Sequence, residues 1–299
     1  MPKVGFLFLA KIKQMRLSIL LLLFSCSINL FAQAFNKAKL DSFFTILEKE
    51  QQAMGTLSIS EGENETYARS FGMASLNPKV ANSPETKYRI GSISKTFTAV
   101  IILQMVTEGK LTLKTAVSKF FPKLPNASSI TVHHLLSHSS GLHNFTDDDK
   151  YLEYMTTPKT REEKLNIIKK GGTDFKPGKK HEYSNTNYVL LSLIAEDIAK
   201  KDFSEIIDTR IVKPLTLTNT YYGKPVNIEE NEAHSYGWSG NWIKSSETDM
   251  SIPMGAGAIV SNPTDLNKFY YALFNDEMLT KEMLSKMKNM NSGYGYGLF

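Results

Sequence analysis

One cysteine, Cys26, stands among 299 residues, so no disulfide can form within the chain. Its place in the N-terminal stretch also leaves a protein trimmed after Ala34 with no thiol chemistry at all. Acidic residues are missing from the first 34 positions, which carry Lys3, Lys11, Lys13 and Arg16. Removing those four charges from the formal net charge of +5 leaves +1. So even a balance argues against nucleic acid or an anionic membrane as partner, either of which calls for a clustered basic face. Internal repeats, low-complexity tracts and linker-like stretches are also missing, and 41% hydrophobic residues over this length suffice for the core of one large domain.

What is there begins with an export signal over residues 1–34: a basic start, the apolar run Leu17 to Phe24, then Ala32-Gln33-Ala34 as a small-x-small cleavage site. Counting from Met15 gives the more usual signal length. Ser25, Cys26, Ser27 and Asn29 interrupt the apolar run well short of the roughly 20 residues needed to span a bilayer. The protein is therefore expected to be exported, periplasmic or secreted, with Cys26 as an alternative point of lipid attachment. Residues 35–299 then form the working domain.

Leu40, Phe43, Phe44 and Leu47 recur at helical spacing, so a first amphipathic helix is expected over 37–52. Alternation at Leu57 to Ser60, a turn at 61–64 and a return over Thr66 to Gly72 predict a hairpin. From Phe97 to Val106 the chain is apolar almost all round, which suits a helix buried in a large domain, ended by Gly109. Short helices broken by Pro122 and Pro125 follow. Thr160 with Glu163 makes a capping box for a helix that closes at Gly171-Gly172. Two more helices are expected at Tyr188 to Ala199 and Phe203 to Val212, a loop or short-strand insert up to Ser251, and another helix over Asn262 to Leu273, with Pro263 in its first turn. Helix, hairpin and buried helix in that order point to an α+β domain.

The chemistry sits at the mouth of the buried helix. Ser92 and Lys95 are three apart, so their side chains share a face and an amine can meet a hydroxyl where the helix presents unpaired N–H groups and its positive end. That is how a nucleophile is activated. The spacing alone is common: Ser285 and Lys288 repeat it on an ordinary amphipathic helix, and serine as a cap with lysine in solvent are the usual roles of such residues. A second signal is Tyr183-Ser184-Asn185, the one Tyr-x-Asn among thirteen tyrosines, between a Pro177-Gly178 turn and a helix. A phenol whose pKa is lowered by a neighbouring ammonium can take a proton from serine and return it to a leaving group. Asn185 offers an acceptor and donors for a substrate amide or for Lys95. His133, His134, His138 and His143 invite a metal reading, but Leu135 stands where a zinc hydrolase has its Glu, and no third ligand is near. They are read as packing and capping residues, and the acids Asp147, Asp148 and Asp149 as a solvated loop.

GSISKTFTA (91–99), ITVHHLLSHSSGL (130–142), FKPGKKHEYSNTNY (175–188) and MGAGAIVSNPTDLNKF (254–269) resemble, in order and spacing, the serine β-lactamase and penicillin-binding-protein superfamily, in the branch that uses Tyr-x-Asn. The resemblance runs from about residue 37 to the end. It implies a β-lactamase/DD-peptidase-like fold: an antiparallel sheet flanked by helices, with an inserted helical subdomain. Ser92 then matches the acylated nucleophile, Lys95 the lysine that helps deprotonate it, Tyr183 the general base and acid, and Asn185 the asparagine that contacts substrate and lysine. No cofactor and no metal are implied, and no obligate protein partner. The substrate is a small molecule or peptide: a β-lactam, a D-Ala peptide such as a peptidoglycan stem, or a small ester. The alternative is a non-catalytic peptidoglycan- or β-lactam-binding protein of the same fold. The family's third motif, Lys-Thr-Gly or His-x-Gly on a strand lining the site, has no match in position; Lys169-Lys170-Gly171 has the spelling but precedes Tyr183. The chain is accordingly expected to be a C-terminally truncated form, lacking later strands and weak in stability and activity.

Overall fold

The computed structural model describes residues 36–290 and 293–298. The expected export signal, with Cys26, lies outside the described residues. The chain divides between Phe44 and Thr45 into a short N-terminal unit and a large one. The first helix, α1 (Lys37–Lys49), runs across that division.

The expected hairpin forms from β1 (Gly55–Glu61) and β2 (Asn64–Phe71), antiparallel from Gly55↔Phe71 to Glu61↔Asn64 around the Gly62 turn, where φ is +61°. A smaller hairpin, β3 (Met73–Leu76) and β4 (Lys79–Ala81), follows. β5 (Tyr88–Arg89) then leads through a one-turn 3-10 helix, Gly91–Ile93, straight into α2 (Ser94–Thr107). Every residue of α2 from Ser94 to Leu103 is buried, as its all-round apolarity requires. Glu108 caps it and Gly109, at φ +72°, takes the left-handed position that releases the chain.

A helical region follows: α3 (Val132–Leu136), α4 (Arg161–Gly171), α5 (Asn185–Ala199) and α6 (Phe203–Ile207), the last prolonged by a π-helical turn to Val212. The Thr160/Glu163 capping box forms in full. α5 starts three residues earlier than the periodicity suggested, which places Asn185 in its first turn. Like α2, it is buried on nearly all sides.

The chain returns through β6 (Tyr221–Tyr222), the hairpin β7 (Tyr236–Trp238) with β8 (Trp242–Lys244), and β9 (Ile259–Ser261). β9 is the middle strand of a three-stranded antiparallel sheet, with Arg89↔Val260 on one side and Tyr221↔Val260 on the other. Helices α7 (Pro263–Phe274) and α8 (Lys281–Met287) cover the core, and Phe269 of α7 stacks on Phe97 of α2 with ring centres 3.8 Å apart.

The α+β class and the β-lactamase/DD-peptidase-like fold hold, but one expectation is corrected. In place of a single antiparallel sheet there are four small ones, among the described residues. The strands of the central sheet are two or three residues long, and the buried helices α2 and α5, not a continuous sheet, carry the apolar core.

Candidate active site

Three separate pieces of backbone deliver the site: the turn before α2, the first turn of α5, and the segment Met254–Gly257 before β9. Ser92 lies in the 3-10 turn and is exposed, whereas Lys95, one turn on, is only 1% exposed. The tight connection from β5 into the buried helix forces this: the turn faces the cleft and the helix dives into the core.

The Ser92 hydroxyl is 2.7 Å from the Tyr183 hydroxyl, and Lys95 Nζ donates to Ser92 Oγ at 3.0 Å. Lys95 also donates to Asn185 Oδ1 (2.8 Å) and to the Ala256 carbonyl (2.7 Å). These two fixed acceptors use two of the nitrogen's hydrogens. The third direction points at Ser92, so an amine that loses its third proton aims a lone pair at the serine hydroxyl. No carboxylate compensates this nitrogen, and burial pulls its pKa down from 10.5 to about 7.

Tyr183 corrects an expectation. Its phenol is not acidified by an adjacent ammonium; burial raises its pKa, with the Ser92 hydrogen bond opposing in part. The reason is the same desolvation: the phenolate suffers the low dielectric directly, and this outweighs the hydrogen bond from Ser92. Burial therefore favours the neutral form of both groups.

Ala256 reaches Lys95 because of Gly255. A Cβ there would lie 2.8 Å from Ser192 Cβ, 2.8 Å from Thr98 Oγ1 and 2.9 Å from the Tyr188 carbonyl, so only glycine lets this segment settle against both buried helices. Thr98 ties it down by donating to the Gly255 carbonyl (2.7 Å).

Asn185 is held with equal care. Its backbone N–H donates to Asn144 Oδ1 (2.9 Å) and its Nδ2 to Thr146 Oγ1 (3.1 Å), which fixes Oδ1 toward Lys95. Behind Tyr183 lies His138, fully buried, with ring centres 4.7 Å apart. His138 Nδ1 accepts from the Ser184 N–H at 3.1 Å, so the ring clamps the backbone between Tyr183 and Asn185. Burial first, then Lys95 and His181, lower its pKa to about 3, so it stays neutral.

The other histidines have separate tasks. His133 Nδ1 meets the Tyr296 hydroxyl (2.6 Å), and His134 completes the cap of α3. His143 sits between Asp148 (3.3 Å) and Asp174 (3.1 Å), which takes Asp148 out of the purely solvated loop expected for it. Ser285 on α8 and Lys288 at its C-terminal cap, the second pair with the Ser-x-x-Lys spacing, are both exposed.

The four residues singled out by sequence, Ser92, Lys95, Tyr183 and Asn185, therefore converge. Ala256, Asn144 and Thr146 went unnoticed. Ala256 acts through a carbonyl, which no side-chain pattern encodes, and Asn144 and Thr146 fall in a loop with no periodicity. On the open side, Ser92 faces a cleft of about 280 Å³ whose walls include Arg89, Phe145, Tyr151, His234, Lys244 and Glu247.

A buried amine and a phenol flank one exposed serine at the junction of a small antiparallel sheet and a buried helix, an arrangement suited to activating a serine hydroxyl. The chain belongs to the beta-lactamase family, whose model matches residues 40–298. The teichoic acid D-alanine hydrolase of Staphylococcus aureus is 27% identical over 255 residues, covering 82% of this chain. The alignment takes in 62% of that relative, so the chain spans a little under two thirds of its length. Among solved structures, the D-amino acid amidase from Ochrobactrum anthropi SV3 superposes with a TM-score of 0.75 at 27% identity, over 86% of this chain and 79% of that one. A penicillin-binding protein homologue from Pyrococcus abyssi gives 0.77 at 29% identity, over 88% and 64%.

Proposed function

We propose that this protein is an exported serine hydrolase that forms an acyl-enzyme on Ser92 with amide or ester carbonyls of the D-alanyl kind. The observation that carries the reading is the placement of one hydroxyl, Ser92, within hydrogen-bond reach of both Lys95 and Tyr183. D-amino acid derivatives enter as substrates because two of the three named relatives are a teichoic acid D-alanine hydrolase and a D-amino acid amidase. Export rests on the leader pattern of residues 1–34.

In the first half-reaction Lys95, as the amine, takes the Ser92 proton while Oγ bonds to the substrate carbonyl and the carbonyl electron pair moves onto its oxygen. The carbon–heteroatom bond then breaks, and the leaving nitrogen or oxygen takes the Tyr183 proton. Lys95 returns its proton to Tyr183, so the serine hydrogen has in effect passed to the leaving group. Water repeats the sequence in reverse: it gives up a proton to the same pair, its oxygen bonds to the acyl carbon, and Ser92 departs with the proton. General acid–base transfer of this kind contributes about 10²- to 10⁴-fold. Asn185 keeps Lys95 aligned throughout.

The test is labelling with a fluorophosphonate or a fluorescent penicillin followed by peptide mass spectrometry. The adduct is expected on Ser92 and lost in Ser92→Ala. A folded protein that takes up neither probe at Ser92 sinks the reading and leaves a binding protein of this fold.

A further inference from the structure

The rim of the cleft holds a charge that the acyl transfer does not use. Three charged side chains line that rim: Arg89, Glu247 and Lys244. Arg89 Nη2 donates to Glu247 Oε1 at 2.6 Å, and the same oxygen accepts the Val226 N–H at 2.6 Å, so that carboxylate is spent. Arg89 also donates to the Thr248 carbonyl (2.7 Å) and the Lys224 carbonyl (2.9 Å), so its charge is paired with Glu247 and both terminal nitrogens are held, while its buried Nε has no partner among the described residues. Lys244 remains: its one polar contact is with His234 Nε2 at 3.0 Å, and no carboxylate pairs with it among the described residues.

Its position is built. Lys244 pairs with Tyr236 across the β7–β8 hairpin, and the Tyr236 hydroxyl accepts the Leu76 N–H at 2.8 Å, which pins the hairpin to β3. The His234 N–H donates to the Ala74 carbonyl at 3.0 Å, anchoring the imidazole on the same strand. Burial lowers the His234 pKa, followed by the effect of Lys244 itself, so the ring offers Nε2 as an acceptor and does not repel the ammonium. Two further N–H directions of Lys244 are left for a guest in the cleft.

We infer that Lys244, oriented by His234, is an anion-binding subsite for the part of the substrate remote from the scissile carbonyl, taking a phosphate or a carboxylate. This rests on the hydrolase reading and narrows it to substrates that are anionic on the leaving-group or acyl-carrier side. One charge-assisted contact at a half-open rim corresponds to about tenfold in kcat/KM.

Matched D-alanyl esters test it: glycerol phosphate against glycerol for the phosphate arm, lactate against lactamide for the carboxylate arm. The protein is expected to prefer the anionic member of at least one pair about tenfold, through KM, and the pair that responds identifies the group recognised. Lys244→Met is expected to erase that preference and Lys244→Arg to keep it. No preference in either pair, or one that survives Lys244→Met, overturns the subsite. Calorimetric binding of the same esters to Ser92→Ala separates the two readings. An anionic preference there, lost on adding Lys244→Met, keeps the subsite even if Ser92 is never acylated; acylation of Ser92 without any preference removes the subsite and leaves the hydrolase.

Discussion

The two walls of the cleft differ in how they handle charge. Behind Ser92 the protein is dry: Lys95 is buried, paired only with neutral acceptors, and shifted to about 7. Across the opening Lys244 is exposed, beside the half-buried ion pair of Arg89 with Glu247. Desolvation lowers the proton affinity of Lys95 on one side, while Lys244 on the other stands exposed. The same residue type thus stands in two contrasting settings that differ in burial.

The sharpest way to break this contrast is Lys95→Met, which removes the amine and strands Asn185 Oδ1 and the Ala256 carbonyl. Single-turnover acylation is expected to fall by about 10³-fold or more, with substrate binding changed far less. If acylation stays within tenfold, Lys95 is not the base.

The pH profile sharpens the comparison further. Because the group must be unprotonated, kcat/KM is expected to fall about tenfold per unit below an apparent pKa near 7. No loss from Tyr183 is expected on the alkaline side until beyond the ordinary phenol range, since its pKa is raised. Stability follows the same sign. The folded lysine titrates below its unfolded value, so the unfolded chain binds more protons between the two, and stability from this group should rise with pH from about 7 to about 10.5. Denaturant midpoints across that range measure it.

Gly255→Ala attacks the dry wall from behind. Its Cβ meets two side chains and a backbone carbonyl at under 3 Å, so a loss of about 1–3 kcal/mol in stability is expected, together with slower acylation as the Ala256 carbonyl moves off Lys95. Smallest of all, Ser285→Ala on exposed α8 is expected to change stability by less than about 0.5 kcal/mol and leave probe labelling intact.

Much of this was legible in the chain. Period and caps located α2, the β1–β2 hairpin, α4 and α7 within a few residues, because an all-apolar run, a tight Gly62 turn and the Thr160/Glu163 and Asn262 caps are local signals. The division of the strands into four small sheets was not, because partners such as Arg89 and Val260 lie far apart in sequence and two-residue strands carry no periodicity.

By itself the sequence determined which groups are present and how they are spaced: a serine and a lysine three apart, one Tyr-x-Asn, and a glycine before Ala256. Only the tertiary structure decided what those groups are chemically. Burial, which depends on how α2, α5 and the Met254–Gly257 segment close around Lys95, pulled that nitrogen's pKa down to about 7, raised that of the Tyr183 phenol where local charge alone would have lowered it, and left Lys244 exposed at the rim. Proton affinity is set by the dielectric and partners around a group, and those come from the whole fold.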